Sequence, residues 1–183
     1  MRAMDNKNEL LPLVDPSGHV IGSVTRAEAH GGGKPLHPVV HLHVLNGNGD
    51  LFLQKRPEWK DIQPGKWDTA CGGHVAFGET IEEALHREVM EELGISDYTP
   101  HFICRYVFES DRERELVHVF ATVYDGTIKT SGEELDGGRF WTKVQLCENE
   151  GRGTLTPNFV GEYRRIRQEL ERLANTIKTP TSR

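Results

Sequence analysis

Basic residues are in deficit: 22 lysines and arginines stand against 28 acids, for a formal net charge of −6. A phosphate backbone wants a basic face, so a general binder of nucleic-acid polymers is excluded. Cysteine is nearly missing. Cys71, Cys104 and Cys147 are far apart and form no CxxC pair, which excludes a disulfide frame and points to a reducing compartment. No apolar run approaches the roughly 18 residues of a membrane span, and the first residues have no signal-peptide apolar region. The expectation is a cytoplasmic protein without membrane contact, a monomer or a homodimer. No internal repeat is visible. With 183 residues, 36% hydrophobic and 27% charged, the chain suits one domain with a real core rather than two.

What the chain does have is concentrated between Gly73 and Ile95, GHVAFGETIEEALHREVMEELGI. Thr80 followed by Glu83 is a capping box, so a helix should begin there. Gly94 after Leu93 suits a left-handed C-cap. At about 100° per residue, Ile81, Leu85, Val89 and Leu93 share one apolar arc. Glu-rich helices usually turn their acids to solvent, opposite such an arc. Here Glu92 falls inside the arc, Glu88 at its edge and only Glu91 well off it. Carboxylates crowded beside a buried face repel one another and lose hydration, so they call for a cation. Hard oxygen ligands suit Mg²⁺ or Mn²⁺. Arg87 cannot ligate a metal, but it can pair with Glu83, Glu91 or Glu79 and brace the turn.

The run reads G-x5-E-x7-R-E-U-x-E-E-x-G-U, where U is bulky and apolar, with every fixed position filled. It resembles the Nudix box of the Nudix hydrolases. The resemblance implies a loop–helix–loop that binds divalent metal and cuts a diphosphate linkage in a nucleoside diphosphate joined to another group. It also implies an α+β fold, the α/β/α sandwich around a mixed β-sheet.

Along the chain, residues 1–8 are polar and expected to be loose. Leu10–Val14 and His19–Thr25 flank a turn at 15–18 and should form a small hairpin. The triple glycine at 31–33 marks the boundary between an N-terminal extension, 1–33, and the main domain, 34–174. Strands are expected at 39–45, 51–54, 102–109 and 116–124, with a loop at 55–68 and an acidic, Gly-rich loop at 132–138. Phe140-Trp141 begins a last strand or a turn into a short helix. A final helix should run from Thr156-Pro157 to about Leu173, leaving 175–183 as a flexible tail.

The segment from about His30 to Phe120 also resembles one Nudix branch, the isopentenyl-diphosphate isomerases. In them, two His before the first core strand, a His at the box entrance and a Glu-x-Glu pair hold a metal. Here His30, His37, His74, Glu113 and Glu115 stand at matching places. Arg56 and Lys60 match an Arg/Lys pair that grips the substrate diphosphate, and Pro64, Gly65 and Trp67 match the same loop. Alternate positions on a strand share a face, so Glu113 and Glu115 can point at one site. His74 and Glu115 are read as functional; His30 and His37 stay open between ligands and ordinary histidines. The isomerases need a Cys two residues before the entrance His. Here Gly72 stands there and Cys71 lies one residue earlier, where an extended chain turns a side chain to the opposite face. Both this departure and the complete box favour hydrolysis.

The expected enzyme is a Mg²⁺- or Mn²⁺-dependent pyrophosphohydrolase of a small diphosphate substrate. Glu88, Glu91 and Glu92 are the metal ligands, with the Gly73 carbonyl and His74 as further candidates. Arg56, Lys60 and Lys66 are candidates for the substrate phosphates, and a box glutamate or Glu115 for the general base. Trp59, Trp67 and Phe77 are candidates for base stacking or for packing. The rivals are an isomerase, disfavoured by Gly72, and a catalytically silent binding module, disfavoured because no box residue is missing.

Overall fold

A computed structural model describes residues 6–60, 63–132 and 135–178; of the two ends expected to be loose, residues 1–5 and 179–183 lie outside it. The chain runs β1 (Leu10–Val14), β2 (Val20–Thr25), α1 (Arg26–Ala29), β3 (Leu36–Leu45), β4 (Leu51–Lys55), β5 (Trp67–Thr69), β6 (Cys71–His74), α2 (Ile81–Leu93), β7 (His101–Glu109), β8 (Arg114–Val123), β9 (Gly138–Trp141), α3 (Lys143–Asn149) and α4 (Pro157–Lys178). β1 and β2 form the expected antiparallel hairpin. The other strands make one mixed sheet in the order β5-β4-β3-β8-β7, with β6 also paired to β3 and β9 to β4. β3 and β8 are parallel in an unbroken register from Leu36–Arg114 to Leu45–Val123.

The side-chain alternation of β3 explains the layers. Val40, Leu42 and Val44 face α2, where Leu85, Val89 and Leu93 complete one core with Phe52 and Phe120. Val39 and Leu45 face the other way, into a second core with Val117, Val119 and Ala121 under Phe159, Ile166 and Leu170 of α4. His41 and His43 share this second face, and α4 covers them, His43 completely.

Several boundaries differ from the sequence reading. The segment read as a loop up to residue 68 ends in β5, and the glycine pair lies inside the next strand, β6. Glycines carry no alternation to read; the pairing of Cys71 with Leu42 and of His74 with Val39 makes the strand. Both alternatives offered for Phe140-Trp141 occur in succession, as β9 and then α3. α4 runs to Lys178, past Leu173 and into the segment assigned to the tail. The N-terminal hairpin is docked on the domain: Val14 packs with Leu36 and Leu116, and the Phe77 N–H donates to the Leu10 carbonyl at 2.9 Å.

Candidate active site

The box is built on local rules. Thr80 caps α2 in a full capping box with Glu83, and Gly94 ends it at φ 64°, the left-handed conformation a C-cap favours. Glu92 is buried, Glu88 nearly so and Glu91 half exposed, following their places relative to the apolar arc. The register of β6 against β3 brings the glycine pair to these acids. The Gly72 N–H donates to Glu92 Oε2 at 3.2 Å. A Cβ on Gly73 would run into the Glu88 carboxylate, so any other residue there would push that acid out of its place.

Arg87 braces the turn as its type allows. It donates to both oxygens of Glu79, from Nε and Nη2 at 2.9 Å each, and to the His74 carbonyl at 2.9 Å. It also reaches Glu88 at 2.6 Å and Glu91 at 3.4 Å. Its hydrogen bond is the main reason the Glu79 carboxyl titrates below its usual range. Glu83, the other expected partner, closes the capping box instead.

Beside the box lie three imidazoles. One ring nitrogen each from His30, His37 and His74 falls within 4.8 Å of the others. His30 Nδ1 meets Glu113 Oε2 at 3.0 Å and His37 Nδ1 meets the Pro35 carbonyl at 2.9 Å. These partners favour the proton on Nδ1 and leave each Nε2 lone pair facing inward, the arrangement seen around metal-bound histidines. His37 Nε2 is buried with no hydrogen-bond partner, while His30 Nε2 and His74 Nε2 stand 3.1 Å apart. Burial holds the His37 and His74 rings to the neutral form that a ligand needs. Glu115, beside His37 in the register, has its carboxyl pushed up to about 7 by burial and then by Glu113. The two histidines left open by sequence thus join His74, and Glu113 supports the cluster from outside.

The box acids and His74 line one cleft of about 410 Å³, with His30 and His37 grouped against His74. Arg56 and Lys60 line it, with Arg56 3.5 Å from Asp68. Lys66 is not among its lining residues, and neither are Trp59, Trp67 and Phe77. Trp67 packs edge-on against Trp141 in the second core. The aromatic walls are Tyr106 and Phe108, which the sequence reading passed over. It also missed the rim supplied by the N-terminal extension, where Arg26 and Glu9 pair at 2.9 Å.

A further cluster went unread. Glu162 of α4 is buried beneath the cleft. Its carboxylate accepts from His41 Nδ1 at 2.9 Å, His43 Nε2 at 2.6 Å and the Tyr106 hydroxyl at 2.6 Å. Burial would raise this carboxyl, but the histidines outweigh it and hold it ionised. The signal was present in the sequence: Glu162 falls among Phe159, Tyr163 and Ile166 on the apolar face of the last helix, as Glu92 does on α2.

The NUDIX domain family model matches residues 35–159, well over half of the chain, and the chain belongs to that family. An uncharacterized Nudix hydrolase of Pseudomonas aeruginosa is 34% identical over 144 residues, covering 79% of this chain and 84% of the relative. An isopentenyl-diphosphate Delta-isomerase of Saccharopolyspora erythraea is 36% identical over 135 residues, 70% of each chain. A solved protein of Deinococcus radiodurans superposes with a TM-score of 0.75 at 25% identity, over 86% of this chain and 99% of that one. The fold is the expected mixed-sheet sandwich, and the protein is an enzyme of the Nudix hydrolase class. Among the described residues, no helix is long and apolar enough to cross a membrane.

Proposed function

We propose that the cleft hydrolyses a phosphoric anhydride in a small nucleoside-diphosphate-type substrate with the help of Mg²⁺ or Mn²⁺. The observation that carries this reading is the convergence of Glu88, Glu91 and Glu92 on one cleft beside a glycine strand that leaves them room. An all-oxygen donor set of this charge fits a hard divalent cation. Bound there, such an ion would polarise phosphate oxygens and lower the pKa of a coordinated water. The protein's part is to hold the acids in place through Arg87 and the Gly72 N–H, and to meet the substrate phosphates with Arg56 and Lys60. Lys66, away from the cleft wall, drops out of that set. Glu115, with its raised carboxyl, joins the box glutamates as a candidate general base. Glu92→Gln should lower kcat by about a hundredfold or more, as losing a preorganised electrostatic partner does. A screen of nucleotide, sugar-nucleotide, dinucleotide and isoprenoid diphosphates with phosphate detection would find the substrate. Full activity in Glu92→Gln or in excess EDTA would sink the reading.

The imidazole cluster is a second candidate metal site, held by His30, His37 and His74 with Glu115 adjacent. Nitrogen donors suit Mn²⁺ or a softer first-row ion better than Mg²⁺. The cluster also keeps the isomerase reading in view as the alternative, since it matches the isomerase metal set. Against it stands Cys71, buried in the core under α2, while Gly72 faces the cleft.

A further inference from the structure

Among the polar side chains that line the cleft is His41. His41 sits on β3 directly opposite Gly72. Its Nδ1 is committed to Glu162, while Nε2 has no hydrogen-bond partner among the described residues, and both His41 and Gly72 line the cleft. A Cβ placed on Gly72 would stand 3.3 Å from this Nε2 and 3.0 Å from the neighbouring Cδ2. The same glycine gives its N–H to Glu92. His41 Nε2 therefore lies across a single residue from the box acids. Gly72 has a reason to be glycine that sequence reading did not supply: any side chain there, a thiol included, would press on the imidazole.

The charge state follows from the surroundings. A carboxylate as buried as Glu162 needs a compensating cation. His43 is fully buried and meets Glu162 through Nε2 alone, its Nδ1 having no partner. Tyr106 is neutral, its phenol pushed up by burial and then by Glu162. The cation is then His41. Burial works against its charge, but Glu162, by charge and by hydrogen bond, with Glu115 and Asp68 behind it, raises the imidazole to about 9. Arg165 lies over the Tyr106 ring, 4.6 Å from its centre, and works against the push on that phenol.

We propose that His41, oriented by Glu162, is an oxyanion-binding residue of this cleft whose Nε2–H donates to a non-bridging phosphate oxygen of the diphosphate substrate. The proposal rests on the hydrolase reading above and adds to Arg56 and Lys60 a cation fixed to the sheet rather than carried on a loop. Because it is locked at Nδ1, little rotamer freedom is lost when substrate arrives. Glu162 touches no substrate atom; it is a positioning residue.

The test uses the full chain with Mg²⁺ and methylenediphosphonate, a diphosphate mimic that cannot be hydrolysed, followed by calorimetry. His41→Asn keeps an amide donor where Nδ1 meets Glu162 but removes Nε2. It should weaken the probe by about tenfold to a hundredfold, the range of a charge-assisted hydrogen bond, and lower the Tm as well, because Glu162 loses its cation; His41→Gln separates the two effects. His41→Gln places its amide near the Nε2 position and should recover part of the loss. In the wild type, the ¹⁵N resonance of His41 Nε2 should move when the probe is added, and Glu162→Gln should lower the His41 pKa and weaken the probe together. Equal probe affinity in wild type and His41→Asn, or an unmoved Nε2 resonance, would overturn the proposal. So would a wild type that ignores the probe, although hydrolysis of a larger diphosphate would then leave the hydrolase reading standing. Loss of all diphosphate hydrolysis with probe binding intact would instead remove the hydrolase reading and keep the oxyanion site.

Discussion

Cys71, Gly72 and Gly73 are consecutive, and the alternation of β6 gives them three different jobs. Cys71 turns into the core under α2, Gly72 clears His41, and Gly73 clears the Glu88 carboxylate. The sequence showed that a thiol stood one residue out of place; only the strand register shows which way it points. Cys71→Ala should therefore cost about 1 kcal/mol, as a small buried truncation does, and leave hydrolysis unchanged; a loss of turnover at unchanged Tm would contradict the core placement. His41 gives a pH signature of its own. Its folded-state pKa, about 9, lies above the ordinary 6.5, so the ion pair's stabilisation is fully present below pH 6.5 and is lost as pH rises through about 9. Urea midpoints measured from pH 6 to 10 should fall over that window in the wild type, and Glu162→Gln should flatten the fall. Parallel curves for the two proteins would show that the pair carries no linked charge.

At the scale of elements, legibility tracked how much of an element's definition is local. α2 was readable end to end, because its caps, its arc and its misplaced acids all lie within the sequence window of the helix. Thr80→Ala should cost about 1 kcal/mol by thermal melting, the usual worth of an N-cap. A loss several times larger would mean that the residue also holds the metal loop. The short strands β5 and β6 were not readable, since their pairing partners lie far away in β4 and β3 and two of their residues are glycines. The acidic seat on α4 was readable in principle by the rule that exposed Glu92: a carboxylate on an apolar arc needs a partner. Its partners, His41 and His43, are about 120 residues away, and one strand's alternation alone does not say which helix will cover them.

For the whole molecule, the sandwich places the carboxylates of α2 and the His74 imidazole of β6 on one cleft, with the imidazoles of α1's end and β3 grouped against His74, while α4 closes the floor from the other side of the sheet. The N-terminal hairpin, separated by sequence as an extension, contributes Glu9 and Arg26 to the rim. The candidate residues of the box and the Arg56–Lys60 loop, which line the cleft, could be picked out because their spacing is local; the rim, the aromatic walls and the floor could not, because only the fold brings them there. The central claim is that water attacks phosphorus in this cleft when the box acids hold a divalent ion. It is tested most directly by turning over the best substrate of a diphosphate screen in ¹⁸O-labelled water with Mg²⁺ or Mn²⁺, and reading the phosphate products by mass spectrometry. One ¹⁸O should appear in a phosphate product of the wild type, and its rate of appearance should collapse in Glu92→Gln. Products free of ¹⁸O, or label entering equally fast in Glu92→Gln, would contradict it.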